Sequence, residues 1–231
     1  MAPSPSRRRR GNSVDKRVFD LVVGTAALIL SLPIQAVVAL AVAVKLGRPV
    51  LFKQMRPGLS GKPFEMRKFR SMRPVDPSRG WVDDASRMTP FGARLRSTSL
   101  DELPALWNVV RGDMSLVGPR PLLMKYLPLY SPFQARRHEV KPGLTGLAQV
   151  SGRNAVTWDR RFELDVQYVD TWTIRGDLKI LKDTVAAVLH RDGITAAGEV
   201  SMPEFTGGAA GDASGDAGAS TDDRPRPGAR W

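Results

Sequence analysis

Asp101 and Glu102 are adjacent carboxylates within STSLDELPALWNVVRGDMSLVGPRP, residues 97–121. Ser99 and Glu102 have the S-x-x-E spacing of a capping box, and Leu103, Leu106, Trp107 and Val110 follow at helical spacing. The pair is therefore expected at a helix start, where the macrodipole lowers carboxylate pKa values and attracts phosphate oxygens. Arg96, Arg111 and Arg120 flank it in sequence, and arginine forks onto phosphate bidentately. Pro119 and Pro121 stiffen the chain on either side of Arg120. A divalent cation suits the space between an acidic side chain and a diphosphate. The plainer reading makes Ser99 and Glu102 a helix cap and the arginines solvated charges. On this stretch alone both readings stand.

Composition narrows the chemistry. The chain has 231 residues, enough for one domain with a core plus tails, and no cysteine. Disulfides and Cys-ligated zinc are excluded. His138 and His190 are the only imidazoles, which rules out a His-rich metal site and disfavours a Ser-His-Asp triad. The formal net charge of +12 favours a phosphate-bearing partner. Few aromatics interleave with the basic residues, which argues against nucleic acid. Neither a phosphate-binding G-x-x-x-x-G-K-[ST] loop nor a dinucleotide G-x-G-x-x-G is present.

The elements that must position the carboxylates read as a mostly helical α+β fold. Residues 1–13 form a Pro-, Ser- and Arg-rich tail whose Arg7–Arg10 run suits an anionic membrane face. Residues 14–46 hold an uncharged apolar run, Leu21–Val44, with Pro33 near its middle and basic residues on both flanks. Length, proline and charge together predict a re-entrant helix-break-helix hairpin with both ends in the cytoplasm. Ser31 is the hydroxyl nearest the break and a candidate partner for the backbone groups freed there. A Pro-kinked full span and a buried soluble helix are the alternatives.

Residues 47–192 read as the cytosolic globule. Val50–Gln54 and Pro63–Arg70 predict a β-hairpin, and Pro74–Thr89, with Asp76, Asp83 and Asp84, a mobile loop with solvated acids. Phe91–Ser97 predicts a short basic helix. Leu122–His138 predicts two short helices interrupted at Pro128 and Pro132, lying at the membrane interface or in an ordinary core. The glycines from Gly143 to Gly152 suit either close approach of a ligand or plain turns. Trp158–Trp172 and Asp177–Leu189 read as helices with inner faces Phe162, Val166, Val169, Thr173 and Leu178, Leu181, Val185, Leu189. Residues 193–231 are Gly-, Ala-, Ser- and Asp-rich and read as a disordered tail.

Several ordered motifs between Lys16 and Leu189 resemble the bacterial sugar transferases, the monotopic phosphoglycosyl transferases in their minimal short form. They are KFRSM (68–72), SLDELP (99–104), GDMS (112–115), VGPRP (117–121), KPGLTG (141–146) and ELDVQY (163–168). The resemblance implies transfer of a sugar-1-phosphate from a UDP-sugar to polyprenyl (undecaprenyl) phosphate, with release of UMP. It makes Asp101 the nucleophile of a phosphosugar-aspartyl intermediate and Glu102 a ligand of Mg²⁺. Lys68, Arg96 and Arg120 become substrate-binding residues, with Arg96 toward the nucleotide. It also implies a re-entrant hairpin broken at Pro33, usually after serine, where this chain has Leu32. The expected setting is the cytoplasmic membrane, with the globule facing the cytoplasm and anionic lipids and a second copy of the chain as further partners. The implied role is the first membrane step of a polysaccharide or glycoconjugate pathway. A non-catalytic membrane adaptor, or a membrane-bound phosphatase or nucleotidase, is the reading from a different class.

Overall fold

The computed structural model describes residues 13–152, 156–190 and 204–207. Helix α1 (Val14–Leu46) leads into strands β1 (Leu51–Pro57) and β2 (Pro63–Phe69). Short α2 (Asp84–Arg87) and α3 (Pro90–Ser97) follow, then a 3-10 segment (Leu100–Ala105), α4 (Leu106–Arg111) and β3 (Ser115–Val117). Next come α5 (Pro132–Ala135), β4 (Gly143–Thr145), α6 (Leu147–Val150), α7 (Trp158–Thr171) and α8 (Ile174–His190). The fold is mostly helical, with an antiparallel β1–β2 hairpin and a parallel β3–β4 pair.

Ser13 caps α1 by accepting the Lys16 backbone N–H. The helix has 33 residues and so is about 50 Å long. Among the described residues it is the one helix long and apolar enough to cross a bilayer. Its backbone is helical throughout with Pro33 inside, so the two arms expected from the sequence are one continuous element. Proline there forfeits the bond to the Ile29 carbonyl. Ser31 does not serve that carbonyl: it donates to the Leu28 carbonyl and accepts from Gln35, at 2.9 Å each.

Both ends of α1 rest on the globule. Phe19, Ala27 and Leu28 pack on the core formed by Phe64, Met66, Leu106, Val109, Leu116 and Tyr168. Gly24 allows this approach, since a Cβ there would come within 3.0 Å of Val109. Val38 and Val42 pack with Phe69 and Leu95 near the other end. Between these contacts, Ile29, Leu30, Leu32, Ile34 and Val37 are exposed, and residues 29–37 include no buried side chain.

The basic flank before α1's apolar run is an anchor. Lys16 is only 4% exposed, and its Nζ donates to Asp177 Oδ2 at 2.6 Å and to the Val117 carbonyl at 3.1 Å. Asp177 is fully buried and also accepts from the Tyr168 hydroxyl (2.9 Å) and Trp172 Nε1 (3.0 Å). Arg17 forks onto the carbonyls of Val109 and Val110 at 2.7 Å each. These lie in the last turn of α4, where a cation offsets the unpaired carbonyls.

Four readings are corrected. In α8 the expected inner residues Leu178 and Val185 are exposed, because Asp177 and Ile180 face inward to meet Lys16 and the core. In α4 Trp107 is exposed and Leu106, Asn108 and Val109 are buried, since the 3-10 segment before it turns every three residues and rotates the phase. The 74–89 loop is locally ordered: Asp76 and Asp83 cap turns, and Arg73 and Arg79 lie 4.5 and 5.2 Å from the Trp81 ring centre. In the expected disordered tail, Phe205 is buried among Tyr126, Tyr130, Trp158 and Phe162, with ring centres 5.0 to 5.9 Å away. The readings of residues 1–12, 191–203 and 208–231 fall outside the described residues.

Removing one partner of a buried ion pair leaves an uncompensated charge, which costs about 3–5 kcal/mol. Asp177→Ala is expected to destabilise the protein by that amount in denaturant unfolding. Lys16→Met/Asp177→Leu recovers part of the loss, since it removes the stranded ammonium.

Candidate active site

Glu102 lies within the 3-10 segment, and three chain segments converge on its carboxylate. Lys68 Nζ, from β2, donates to Oε1 at 2.6 Å. Arg120, from the loop after β3, donates to Oε1 from Nη2 at 2.6 Å and to Oε2 from Nη1 at 3.4 Å. The capping box does not form. Ser99 adopts a left-handed conformation (φ 56°, ψ 14°) and makes no cap hydrogen bond. Glu102 is consequently an ion-pair partner, with burial opposing its charge and Arg120 and Lys68 more than offsetting this to hold its pKa below the usual range.

Each cation is fixed by backbone that the sequence determines. Lys68 pairs across the hairpin with Phe52. Asn108 ties that hairpin to α4: its Nδ2 donates to the Glu65 carbonyl at 2.8 Å and its Oδ1 accepts from the Arg67 N–H at 3.2 Å. The loop carrying Arg120 begins at Gly118, packed backbone to backbone on the KPGLTG turn. A Cβ at Gly143 would lie 2.1 Å from Gly118 N, and one at Gly118 2.5 Å from the Lys141 carbonyl oxygen. These glycines allow close approach of two backbone segments. From the other side Arg137 donates to the Arg120 carbonyl at 2.6 Å while paired with Asp165 at 2.8 Å.

Asp101 differs from its neighbour. Its residue is 7% exposed, and among the described residues its carboxylate makes no hydrogen bond or ion pair. Burial, then the charge of Glu102, push its pKa up to about 6 against the opposing Lys68, Arg96 and Arg120. This corrects the expectation that both acids are depressed. Two adjacent carboxylates are thus driven apart, one firmly ionised and one poised near neutrality, the pattern of acids with separate chemical roles. Arg96 stands beside the pair, donating to Ser71 Oγ at 2.9 Å and directed also at Met72 Sδ.

The structure therefore brings Lys68, Glu102 and Arg120 into direct contact, with Asp101 and Arg96 adjacent. Arg111 is elsewhere, 3.5 Å from Asp113. Pro33 lies on the exposed stretch of α1. Sequence reasoning missed Asn108, Arg137 and Asp165. Asp165 sits in the ELDVQY motif and was the available signal, whereas Asn108 reads as an ordinary helix residue. Glu102 is the residue that could hold a Mg²⁺ together with substrate phosphates. The described residues hold no cluster of three metal-ligating acids or histidines, and Mg²⁺ commonly binds one or two carboxylates plus substrate phosphates. Glu102 Oε2, with only the 3.4 Å contact, is the less committed oxygen.

A raised carboxyl pKa has a stability consequence. The neutral form of Asp101 is favoured by folding, so its contribution is fully present below about pH 4 and is lost as pH rises through about 6. Asp101→Asn is expected to stabilise the protein at pH 7.5 by on the order of 1–3 kcal/mol, and to have little effect at pH 4. Denaturant titrations at the two pH values check this.

Residues 11–191 match the bacterial sugar transferase family. The chain is 54% identical over 196 residues to the uncharacterized sugar transferase EpsL of Bacillus subtilis, covering 83% of this chain and 96% of that protein. It is 42% identical over 192 residues to the UDP-glucose:undecaprenyl-phosphate glucose-1-phosphate transferase of Caulobacter vibrioides, covering 77% and 70%. The enzyme of that name from Klebsiella pneumoniae is 42% identical over 185 residues, and the chain spans 40% of its length. With its motifs assembled around one carboxylate pair, this chain belongs to the bacterial sugar transferase family.

Proposed function

We propose that the protein transfers a sugar-1-phosphate from a UDP-sugar to polyprenyl phosphate and releases UMP, with Asp101 as the nucleophile. The observation that carries this reading is the split acid pair, a hydrogen-bond-free Asp101 beside a Glu102 fixed by Lys68 and Arg120. The names of the related enzymes point to the same donor and acceptor classes. In the first step an Asp101 carboxylate oxygen attacks the β-phosphorus. The bond from that phosphorus to the bridging oxygen breaks, and UMP leaves with the electron pair. In the second step an oxygen of the lipid phosphate attacks the same phosphorus, and the bond to Asp101 breaks to restore the carboxylate. A carboxylate suits both steps because it is ionised at neutral pH and leaves well. Arg120 and Lys68 stabilise charge building on the phosphoryl oxygens. Mg²⁺, held by Glu102 and the diphosphate, would lessen repulsion between the two anions.

The apolar helix supplies access to a lipid acceptor. We propose that α1 bends at Pro33, where one backbone bond is missing, so that it enters one leaflet and returns; this is supported by both of its ends resting on the same globule while residues 29–37 stand clear. A full span carries the two ends of a helix to opposite faces. The globule and both helix ends then lie on the cytoplasmic face. An adaptor reading leaves unexplained why Asp101 is buried without a partner.

UMP release from a panel of UDP-sugars, with and without polyprenyl phosphate and Mg²⁺, tests the reaction. The proposal expects multiple-turnover UMP release from one donor only when acceptor and Mg²⁺ are both present, and no more than one UMP per enzyme without acceptor. Multiple-turnover release without acceptor indicates a phosphatase or nucleotidase. Asp101→Asn is expected to abolish turnover, and appreciable residual turnover contradicts its role. The reactive form is the carboxylate, so kcat/KM should rise with pH through about 6 and fall tenfold per unit well below it.

A further inference from the structure

Arg56 closes β1 on the same sheet face as Lys68. The register pairs Phe52 with Lys68, Gln54 with Met66 and Arg56 with Phe64, and residues directly opposite across strands project to one side. Lys68 uses that side to reach Glu102. Arg56 has the opposite condition. One Nη donates to the neutral Gln54 Oε1 at 2.7 Å, while Nε–H is buried and has no hydrogen-bond partner. A buried donor left unmade carries the full cost of its desolvation, so such a group in a native site calls for a missing acceptor.

The surroundings indicate that acceptor's charge. Burial and then Arg120 depress the Arg56 pKa to about 10, so it remains cationic at neutral pH. The acid within its electrostatic range is Glu102, already bracketed by Lys68 and Arg120. His138, hydrogen-bonded to the Gly58 carbonyl on the adjoining turn, is held neutral with its pKa near 4 by burial and Arg137, and adds no counter-charge. Four cations, Lys68, Arg96, Arg120 and Arg56, thus face two carboxylates. The excess positive charge matches a doubly charged phosphate group.

We propose that Arg56 is a further substrate-binding residue, its guanidinium taking a phosphoryl oxygen beyond the one held by Arg120. This rests on the transferase reading above. The same chemistry serves the diphosphate of the donor or the phosphate monoester of the lipid acceptor.

Initial rates for Arg56→Gln and Arg56→Lys, with donor and acceptor varied separately, test it. Arg56→Gln should raise one KM by about 10- to 100-fold, the worth of one charge-assisted hydrogen bond, with a smaller change in kcat. A rise in the donor KM assigns the donor diphosphate, and a rise in the acceptor KM assigns the lipid phosphate. Arg56→Lys, which keeps the charge without the fork, should recover part of the affinity. KM values unchanged in both variants overturn the proposal, as does a loss of kcat alone. Should Arg56→Gln fail to fold, Arg56→Lys carries the test, and a wild-type KM overturns it. If the wild-type protein turns over no donor, the transferase reading fails separately. Binding of inorganic pyrophosphate by calorimetry then decides: weakening in the variants supports an anion site at Arg56, and equal binding overturns it.

Discussion

The carboxylate of Glu102 joins segments that are far apart in the chain. Lys68 comes from the hairpin and Arg120 from the loop after β3, 34 and 18 residues away from it in sequence. Desolvating one carboxylate and two cations is tolerable only because the charges meet at short distance. Once they do, the hairpin, the 3-10 segment and the Gly118–Pro121 loop are locked into one frame. The supporting contacts, Asn108 on the Glu65 carbonyl and Arg137 on the Arg120 carbonyl, hold backbone and not substrate. Asp101, adjacent in sequence, is carried into the same buried place without receiving a partner. Burial first, and then the charge of Glu102, raise its pKa.

A second buried charge fixes where this frame sits relative to the apolar helix. Lys16 contacts Asp177 and the Val117 carbonyl, and the Tyr168 hydroxyl lies within hydrogen-bond distance of both of the same groups. Val117 lies three residues before Arg120. The anchor of α1 and the arginine paired with Glu102 are therefore two ends of one short segment. On the proposed function, a helix fastened this way supplies a fixed reference for the height at which a lipid-borne head group is delivered.

The parts legible in the sequence were those set by local patterning or by motif. The hairpin, α3, α7 and the closeness of Lys68, Glu102 and Arg120 follow from alternation, helical periodicity and the ordered motifs. The failures have physical causes. Ser99 reads as a cap because spacing does not reveal its left-handed backbone, and that one dihedral releases Glu102 for ion pairing. The inner face of α8 was misphased because a fully buried aspartate looks, in sequence, like a solvent-facing residue. Pro33 reads as a helix terminus, yet a helix exposed along that stretch keeps its fold around a single missing bond. Phe205 stands in a Gly- and Ala-rich tail whose composition gives no hint of the aromatic cradle that receives it. Arg56 was passed over because the turn beside it explained the local sequence.

On the proposed mechanism Asp101 itself takes up the sugar phosphate from the UDP-sugar. Intact-protein and peptide mass spectrometry after brief incubation with the accepted UDP-sugar and Mg²⁺, without polyprenyl phosphate, tests it most directly. The expected result is a mass increase of one sugar phosphate less one water, confined to the peptide carrying Asp101 and removed when the lipid acceptor is added. Efficient transfer in the complete reaction with no such adduct, or with the adduct on another residue, would contradict it.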